Sequence, residues 1–127
     1  MRLLLDSHTM LWYFHDPTKL STAAQAAIDS EENQPYISAA SFWEMAIKAG
    51  LGKLRLSKPL SEIRKDFVSH GAQILNITAD HAIAVEHLAQ HHRDPFDRLL
   101  AVQALAESLT LVSKDGVFDL YGVPRLW

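Results

Sequence analysis

The sequence contains no cysteine among its 127 residues. This absence excludes disulfide bonds, catalysis by a thiolate nucleophile and zinc sites built on cysteine. It also agrees with a reducing compartment, where structural disulfides are rare. The fold must therefore depend on an ordinary hydrophobic core, and 48% of the residues are hydrophobic, a usual share for a globular protein.

Long apolar runs are also missing. The apolar stretch within residues 1–6 is too short for the hydrophobic region of a signal peptide. No window approaches the roughly 18 uninterrupted apolar residues that indicate a membrane-spanning helix. We therefore expect a cytoplasmic protein with no membrane association, folded as a single domain over residues 1–127.

An excess of positive charge is lacking as well, since the formal net charge is −3, which is not typical of a general nucleic-acid binder. The basic residues are nevertheless concentrated. Residues 48–65 contain six lysines and arginines against one acidic residue, which is half of the 12 in the chain. Such a stretch is either a solvated surface or a surface that contacts phosphates or an acidic partner, and the sequence leaves both interpretations open.

Short apolar runs alternate with helical segments along the chain. Strands are predicted at residues 3–5, 35–37, 74–77, 109–112 and 123–126. Helices are predicted at residues 7–15, 21–30, 39–49, 59–70, 78–90 and 95–108, with a further short turn or helix at 117–121. This alternation indicates an α/β protein with a mostly parallel sheet covered by helices on both faces. In such a sheet, ligands bind outside the carboxyl ends of the strands.

Four carboxylates are predicted to meet at that end of the sheet: Asp6, Glu44, Asp97 and Asp115. Asp6 directly follows the first strand, and Asp115 comes shortly after the fourth. Glu44 and Asp97 lie in the first turns of helices that begin at the same edge. Carboxylates brought together repel one another unless a cation neutralises them. Oxygen ligands without cysteine indicate Mg²⁺ or Mn²⁺ rather than zinc, and such an ion supports phosphoryl transfer or hydrolysis.

Each of these residues also has a simpler local explanation. Asp6 suits a turn at the end of a strand, and Asp115 precedes a glycine in a common turn pair. Glu44 completes a Ser-Phe-Trp-Glu segment that begins at Ser41 and matches a capping box. Asp97 suits the positive end of a helix. Taken one at a time, the four residues are explained by local structure at least as well as by a metal site.

The motifs taken together resemble the PIN-domain ribonucleases of the VapC toxin family. In chain order they read LLDSHTMLW at 4–12, SAASFWEMAIKAGLGKL at 38–54, HRDPFDRLL at 92–100 and LVSKD at 111–115, with FDLYGV at 118–123 matching the usual ending. Serines 7 and 113 stand where threonine is commoner and Lys114 where arginine is common, so the hydroxyls and the charge are kept. The resemblance covers nearly the whole chain.

The resemblance implies a three-layer α/β/α sandwich with the PIN-like fold and an endoribonuclease that depends on Mg²⁺ or Mn²⁺. It assigns catalytic and metal-binding roles to Asp6, Glu44, Asp97 and Asp115. Ser7 and Ser113 are expected to donate hydrogen bonds to the acidic cluster. Asp119 is expected either at the edge of the site or as a surface cap.

The resemblance also implies a biological role and partners. It predicts the toxin of a type II toxin–antitoxin pair, with RNA as the substrate, an inhibitory antitoxin encoded nearby and a homodimeric assembly. Five basic residues are candidate contacts with RNA or the antitoxin: Lys48, Lys53, Arg55, Arg98 and Lys114.

Two alternative functions stay open from the sequence. One is a free-standing RNA-processing PIN nuclease, and the other is a nuclease-inactive PIN fold that only binds. The intact carboxylates at all four positions favour an active nuclease. A phosphoacceptor receiver domain is disfavoured, because the third predicted strand ends at Ile77 without the aspartate that such a domain requires.

Overall fold

Five strands form one sheet in the computed structural model, which describes residues 1–127. The strands are β1 (Arg2–Leu5), β2 (Gln34–Ser38), β3 (Gln73–Leu75), β4 (Thr110–Val112) and β5 (Arg125–Leu126). Their spatial order is β3-β2-β1-β4-β5, and every neighbouring pair is parallel. The predicted parallel sheet is therefore confirmed, and it is parallel throughout.

Six α-helices accompany the strands: α1 (Ser7–His15), α2 (Thr22–Asp29), α3 (Ala39–Gly50), α4 (Leu60–Ser69), α5 (Ala79–Ala84) and α6 (Pro95–Ala106). Short 3₁₀ segments lie at Pro17–Lys19, Val85–His87 and Gly116–Tyr121. Polar caps define several helix starts, as the sequence predicts. Ser21 Oγ accepts from the Ala24 N–H, and α6 begins with a proline directly after its N-cap Asp94, since proline suits the first helical position. No helix has the combined length and apolar character needed to cross a membrane.

The central strand β1 shows why helices cover both faces of the sheet. Leu3, Leu4 and Leu5 are completely buried, and successive side chains of a strand point to opposite faces. Leu3 and Leu5 belong to a core cluster with residues of α1, α2, α3 and α4. Leu4 belongs to a second cluster that contains residues of α6. The predicted three-layer sandwich is confirmed, with α1 to α4 packed on one face and α6 on the other.

The carboxyl ends of β1 and β4 lie side by side near the middle of the sheet. From β1 the chain continues to β2 and β3 on one side, and β4 and β5 fill the other side. Adjacent strands whose connections leave in opposite directions create a crevice that serves as a ligand site in α/β proteins. Asp6 follows β1 and Asp115 lies three residues after β4, so both aspartates are placed at this crevice.

The helix after β3 is shorter than predicted. The sequence predicts a helix over residues 78–90, whereas α5 ends at Ala84 and a 3₁₀ turn follows. The reason is a distant side chain, because the Arg98 guanidinium donates to backbone carbonyls of the segment after α5, those of Val85, Leu88 and Ala89. The Val85 carbonyl also accepts from the Leu88 N–H within the 3₁₀ turn, so Arg98 adds a second donor there and supplies a donor to the carbonyl groups of Leu88 and Ala89 beyond the helix end. The segment therefore wraps around an arginine of α6 instead of continuing as a helix.

Candidate active site

The four predicted carboxylates meet in one cavity at the carboxyl ends of β1 and β4. The cavity has a volume of about 100 Å³ and is lined by Asp6, Ser7, His8, Glu44, Lys48, Asp94, Asp97, Asp115 and Phe118. We call this cavity the acidic cleft. Its residues come from four separate stretches of the chain, so only the folded sheet brings them together.

Two of the aspartates use one carboxylate oxygen for local structure. Asp6 Oδ1 accepts a hydrogen bond from the Thr9 N–H at 2.8 Å and caps α1. Asp115 Oδ1 accepts from the Val117 N–H at 3.0 Å and caps the following 3₁₀ turn. The second oxygen, Oδ2, takes no part in these bonds. A turn or capping role for these residues is therefore compatible with a metal-binding role.

Glu44 has hydrogen-bond partners at both oxygens. Its Oε1 accepts from Ser7 Oγ at 2.6 Å, and its Oε2 accepts from Lys48 Nζ at 2.9 Å. Lys48 follows one helical turn later and lies on the same face of α3, and its bond to Glu44 raises the pKa of Lys48. The residue that caps α3 is Ser38, so Glu44 lies in the second turn and the capping-box interpretation with Ser41 is wrong.

The carboxyl group of Asp97 is harder to ionise than that of an exposed aspartate. Burial raises the pKa of Asp97 from its ordinary value of 3.8 to about 7, together with the negative charges of four neighbours, Asp94, Glu44, Asp6 and Asp115. Five carboxylates and one lysine line the cleft, so it holds more negative charge than its basic side chain neutralises. A divalent cation compensates such an excess. Carboxylate oxygens without sulfur are a donor set that fits Mg²⁺ or Mn²⁺.

His92 is a residue of this site that the sequence analysis did not single out. Its Nε2 lies 3.1 Å from Asp97 Oδ2 and 3.9 Å from Asp115 Oδ2. Its other ring nitrogen, Nδ1, accepts from the Asp94 N–H at 2.9 Å, so the neutral ring carries its proton on Nε2. With Nδ1 occupied and the proton on Nε2, His92 offers no free nitrogen ligand and instead contacts the Asp97 carboxylate through Nε2. The available signal was its position in the same motif, five residues before Asp97.

Comparison with known proteins establishes the family. The family model described as PIN domain matches residues 3–123. The chain belongs to the PIN-domain family. It is also similar to the curated protein named Ribonuclease VapC22 of Mycobacterium tuberculosis, with 30% identity over 123 residues, which are 97% of this chain and 94% of that protein. The resemblance to VapC-type PIN domains that the motifs indicate is confirmed.

Solved structures of other proteins share the fold of this PIN domain. VapBC2 from Rickettsia felis, solved with a bound DNA fragment from its promoter, aligns with a TM-score of 0.74 and 18% identity, over 100% of this chain and 98% of that chain. FitAcB from Neisseria gonorrhoeae aligns with a TM-score of 0.59 and 19% identity, over 98% and 96% of the two chains. At these identities the likeness supports the PIN-like α/β/α architecture.

The three supporting residues of the PIN domain have different surroundings. Ser7 donates to Glu44, whereas the buried Ser113 Oγ accepts from the Asp115 N–H at 3.1 Å. The predicted donation from Ser113 to the acidic cluster is therefore wrong, and this serine instead fixes the loop after β4. Asp119 is exposed and accepts two hydrogen bonds from the Arg125 guanidinium, at 2.9 and 3.0 Å. These bonds lower the pKa of Asp119, which belongs to a surface ion pair and not to the acidic cleft.

The five basic residues predicted to contact RNA or an antitoxin also differ in their location and burial. Lys48 lines the acidic cleft, and Lys114 lines a cavity beside it. Lys53 and Arg55 are exposed beyond the end of α3. The prediction for Arg98 is wrong, because its side chain is buried and donates to backbone carbonyls of the PIN domain itself.

Proposed function

We propose that this PIN domain is a Mg²⁺- or Mn²⁺-dependent endoribonuclease that acts as the toxin of a type II toxin–antitoxin pair. The observation that carries the proposal is the convergence of Asp6, Glu44, Asp97 and Asp115 in one cleft at the switch point of the sheet. Similarity to Ribonuclease VapC22 over 97% of the chain supports the activity. The proposal treats residues 1–127 as a single PIN domain that acts on RNA in the cytoplasm.

The cation would be held by oxygens that the chain leaves unused. These are Oδ2 of Asp6 and Oδ2 of Asp115, whose Oδ1 atoms accept backbone hydrogen bonds, and Oδ1 of Asp97, whose Oδ2 lies 3.1 Å from His92 Nε2. Glu44 completes the set when Lys48 releases its Oε2. When bound, such a cation activates a water molecule for attack on a phosphodiester and neutralises charge on the phosphate.

Hydrogen bonds within the chain fix the orientation of three of these carboxylates. Backbone N–H groups hold Asp6 and Asp115, and the Ser7 hydroxyl holds Glu44. The fourth, Asp97, has His92 Nε2 at 3.1 Å from its Oδ2. Ligands whose outer atoms are hydrogen-bonded are oriented before a metal ion arrives. The geometry therefore favours an active nuclease over a PIN fold that only binds.

We propose a cognate antitoxin as the inhibitory partner, and the likeness to VapBC2 supports this assignment. An arginine or lysine of the partner that enters the acidic cleft would pair with the carboxylates that otherwise hold the cation. The exposed Lys53 and Arg55, together with Lys114, are the proposed contacts for RNA phosphates or for acidic residues of the antitoxin.

A homodimer is the proposed assembly. Trp43, Ile47 and Leu51 are exposed to 59%, 38% and 64%, and their spacing of four residues places them in a row along α3 and its end. A contiguous exposed apolar row marks an interaction surface. Light scattering is expected to give twice the chain mass of 14.2 kDa, and Leu51→Glu is expected to shift the protein towards monomer. A wild type that stays monomeric at high concentration contradicts the dimer.

Expression in cells tests the toxin assignment. The wild type expressed alone is expected to arrest growth, whereas the Asp97→Asn variant is not. The product of the adjacent upstream reading frame is expected to restore growth and to form a complex that survives purification. A wild type that is harmless at high expression, with no neighbour that binds it, contradicts the assignment and favours a free-standing RNA-processing nuclease.

A further inference from the structure

A second cavity adjoins the acidic cleft. It has a volume of about 270 Å³ and is lined by Asp6, His8, Trp12, Lys114 and Asp115. We call this cavity the side cleft. Three of its residues, Asp6, His8 and Asp115, also line the acidic cleft. A ligand bound at the carboxylates can therefore extend directly into the side cleft.

Aromatic rings form one wall of the side cleft. The Trp12 ring lies 5.6 Å from the His8 ring and 5.9 Å from the Trp127 ring, measured between centroids. His8 and Trp12 are one helical turn apart in α1 and share a face. All three neighbouring aromatic residues are half-buried, but Tyr13 and Phe14 pack against the main core cluster, whereas Trp12 lines the cavity. Its ring is thus placed as a stacking surface.

The remaining lining is polar. Lys114 lies beside the carboxylates of Asp6 and Asp115, and Trp12 is the one hydrophobic side chain among the five. A groove that receives an amphipathic helix of a protein is lined by several apolar side chains, which the side cleft lacks. A nucleotide combines a flat π-face with a negative phosphate. An aromatic wall next to a lysine matches that combination better than it matches a protein helix.

We propose that the side cleft binds the nucleotide next to the scissile phosphate, with its base stacked on Trp12 and its phosphate paired with Lys114. The proposal rests on the proposed nuclease function, since Asp6 and Asp115 border both cavities and a phosphate at the acidic cleft places the adjacent nucleotide in the side cleft. Every base offers a π-face, so stacking on Trp12 selects single-stranded RNA without fixing its sequence. A base stacked within a duplex is not available for this contact.

Binding measurements separate stacking from phosphate contacts. Two fluorescein-labelled strands of equal length are compared by fluorescence anisotropy: single-stranded RNA of random sequence, and an abasic ribose-phosphate strand. The Asp97→Asn chain is the parent, because it is expected not to cut the RNA during the measurement. Circular dichroism and the melting temperature establish that each variant is folded.

The parent is expected to bind RNA more tightly than the abasic strand. Trp12→Ala is expected to weaken RNA binding about tenfold and to leave abasic binding unchanged, because stacking contributes about 1–3 kcal/mol per base. Trp12→Phe keeps an aromatic ring and is expected to retain most of the RNA affinity. Lys114→Gln is expected to weaken the binding of both strands by the same factor, because both strands carry phosphates.

Two results would overturn the side-cleft proposal. The first is a folded Trp12→Ala variant in which the ratio of the affinity for RNA to the affinity for the abasic strand is the same as in the parent. The second is a Trp12→Phe variant that loses as much RNA affinity as Trp12→Ala does. Cleavage by the wild type distinguishes this failure from failure of the nuclease function. If the wild type cuts RNA with Mn²⁺ but Trp12→Ala has full base-dependent binding, the side-cleft proposal alone is wrong. If the wild type cuts no RNA with Mg²⁺ or Mn²⁺, the proposed function is wrong.

Discussion

Lys48 Nζ lies 2.9 Å from Glu44 Oε2, one helical turn away in α3. Because Ser7 Oγ binds the other oxygen of Glu44 at 2.6 Å, both oxygens of this glutamate already have partners within the chain. A divalent cation that uses Glu44 therefore has to compete with the ammonium group of Lys48.

Replacing Lys48 with methionine is expected to tighten Mn²⁺ binding about fivefold. The lysine side chain is 42% exposed, so screening limits its competing interaction to about 1 kcal/mol. Isothermal titration calorimetry on metal-stripped protein measures the change. Lys53→Met, which removes the same charge beyond the end of α3, is the control and is expected to have little effect. A Lys48→Met affinity no higher than that of Lys53→Met contradicts the competition.

The pH dependence of stability depends on Asp97. Its pKa is about 7 in the folded protein against an ordinary value of 3.8, so between these pH values the folded state holds more protons than the unfolded state. The free energy of unfolding in EDTA is therefore expected to fall as the pH rises from about 4 to about 7. Asp97→Asn removes this contribution. Urea unfolding across that pH range is expected to show a larger loss in the free energy of unfolding for the wild type than for Asp97→Asn. If the free energy of unfolding depends on pH in the same way in both proteins, the raised pKa of Asp97 is contradicted.

Asp6→Asn and Asp97→Asn are each expected to abolish cleavage and to preserve the fold. An asparagine at position 6 still caps α1 through its side-chain oxygen, and either change removes one of several repelling charges. The melting temperature in EDTA is therefore expected to stay equal or to rise. Mn²⁺ is expected to raise the melting temperature of the wild type more than that of either variant. If both variants melt several degrees lower in EDTA, the residues are structural and the site assignment is wrong.

Arg98 is expected to stabilise the fold and not to contact RNA. Arg98→Met removes the donor of the Leu88 and Ala89 carbonyl groups, and we expect a loss of about 3 kcal/mol in the free energy of unfolding. Arg98→Lys is not expected to restore it, since an ammonium group does not reproduce the fork of guanidinium donors. The exposed Lys114, changed to methionine, is expected to alter stability by less than about 0.5 kcal/mol. An Arg98→Met protein of unchanged stability contradicts the structural role.

Most elements of the fold could be predicted because their signals are local. The run of buried leucines in β1 indicates a strand covered on both faces, and the predicted helix over residues 7–15 coincides with α1. Ser21 and Asp94 mark helix starts through hydrogen bonds to N–H groups two or three residues later. Such signals depend on neighbours in the sequence and not on the tertiary structure.

Two of the differences between prediction and structure depend on the tertiary structure. The early end of α5 depends on hydrogen bonds from the side chain of Arg98. Arginine side chains are usually exposed, so the sequence around Arg98 does not predict that this one is buried. Likewise, the motif around Asp97 contains His92, but only the fold shows that its Nδ1 is occupied and its Nε2 points to a carboxylate. The convergence of the four carboxylates was predictable, whereas their individual hydrogen bonds required the structure.

The most direct test of the central claim is cleavage of RNA by the purified protein. An RNA with single-stranded loops is incubated with the wild type and with Asp97→Asn, purified identically, in Mg²⁺ or Mn²⁺ and in excess EDTA, and the products are separated by gel electrophoresis. We expect the wild type to cut with the metal ion and to stop in EDTA, and Asp97→Asn to leave the RNA intact. Equal cutting by the wild type in EDTA, or equal cutting by Asp97→Asn, would contradict a metal-dependent nuclease in the acidic cleft.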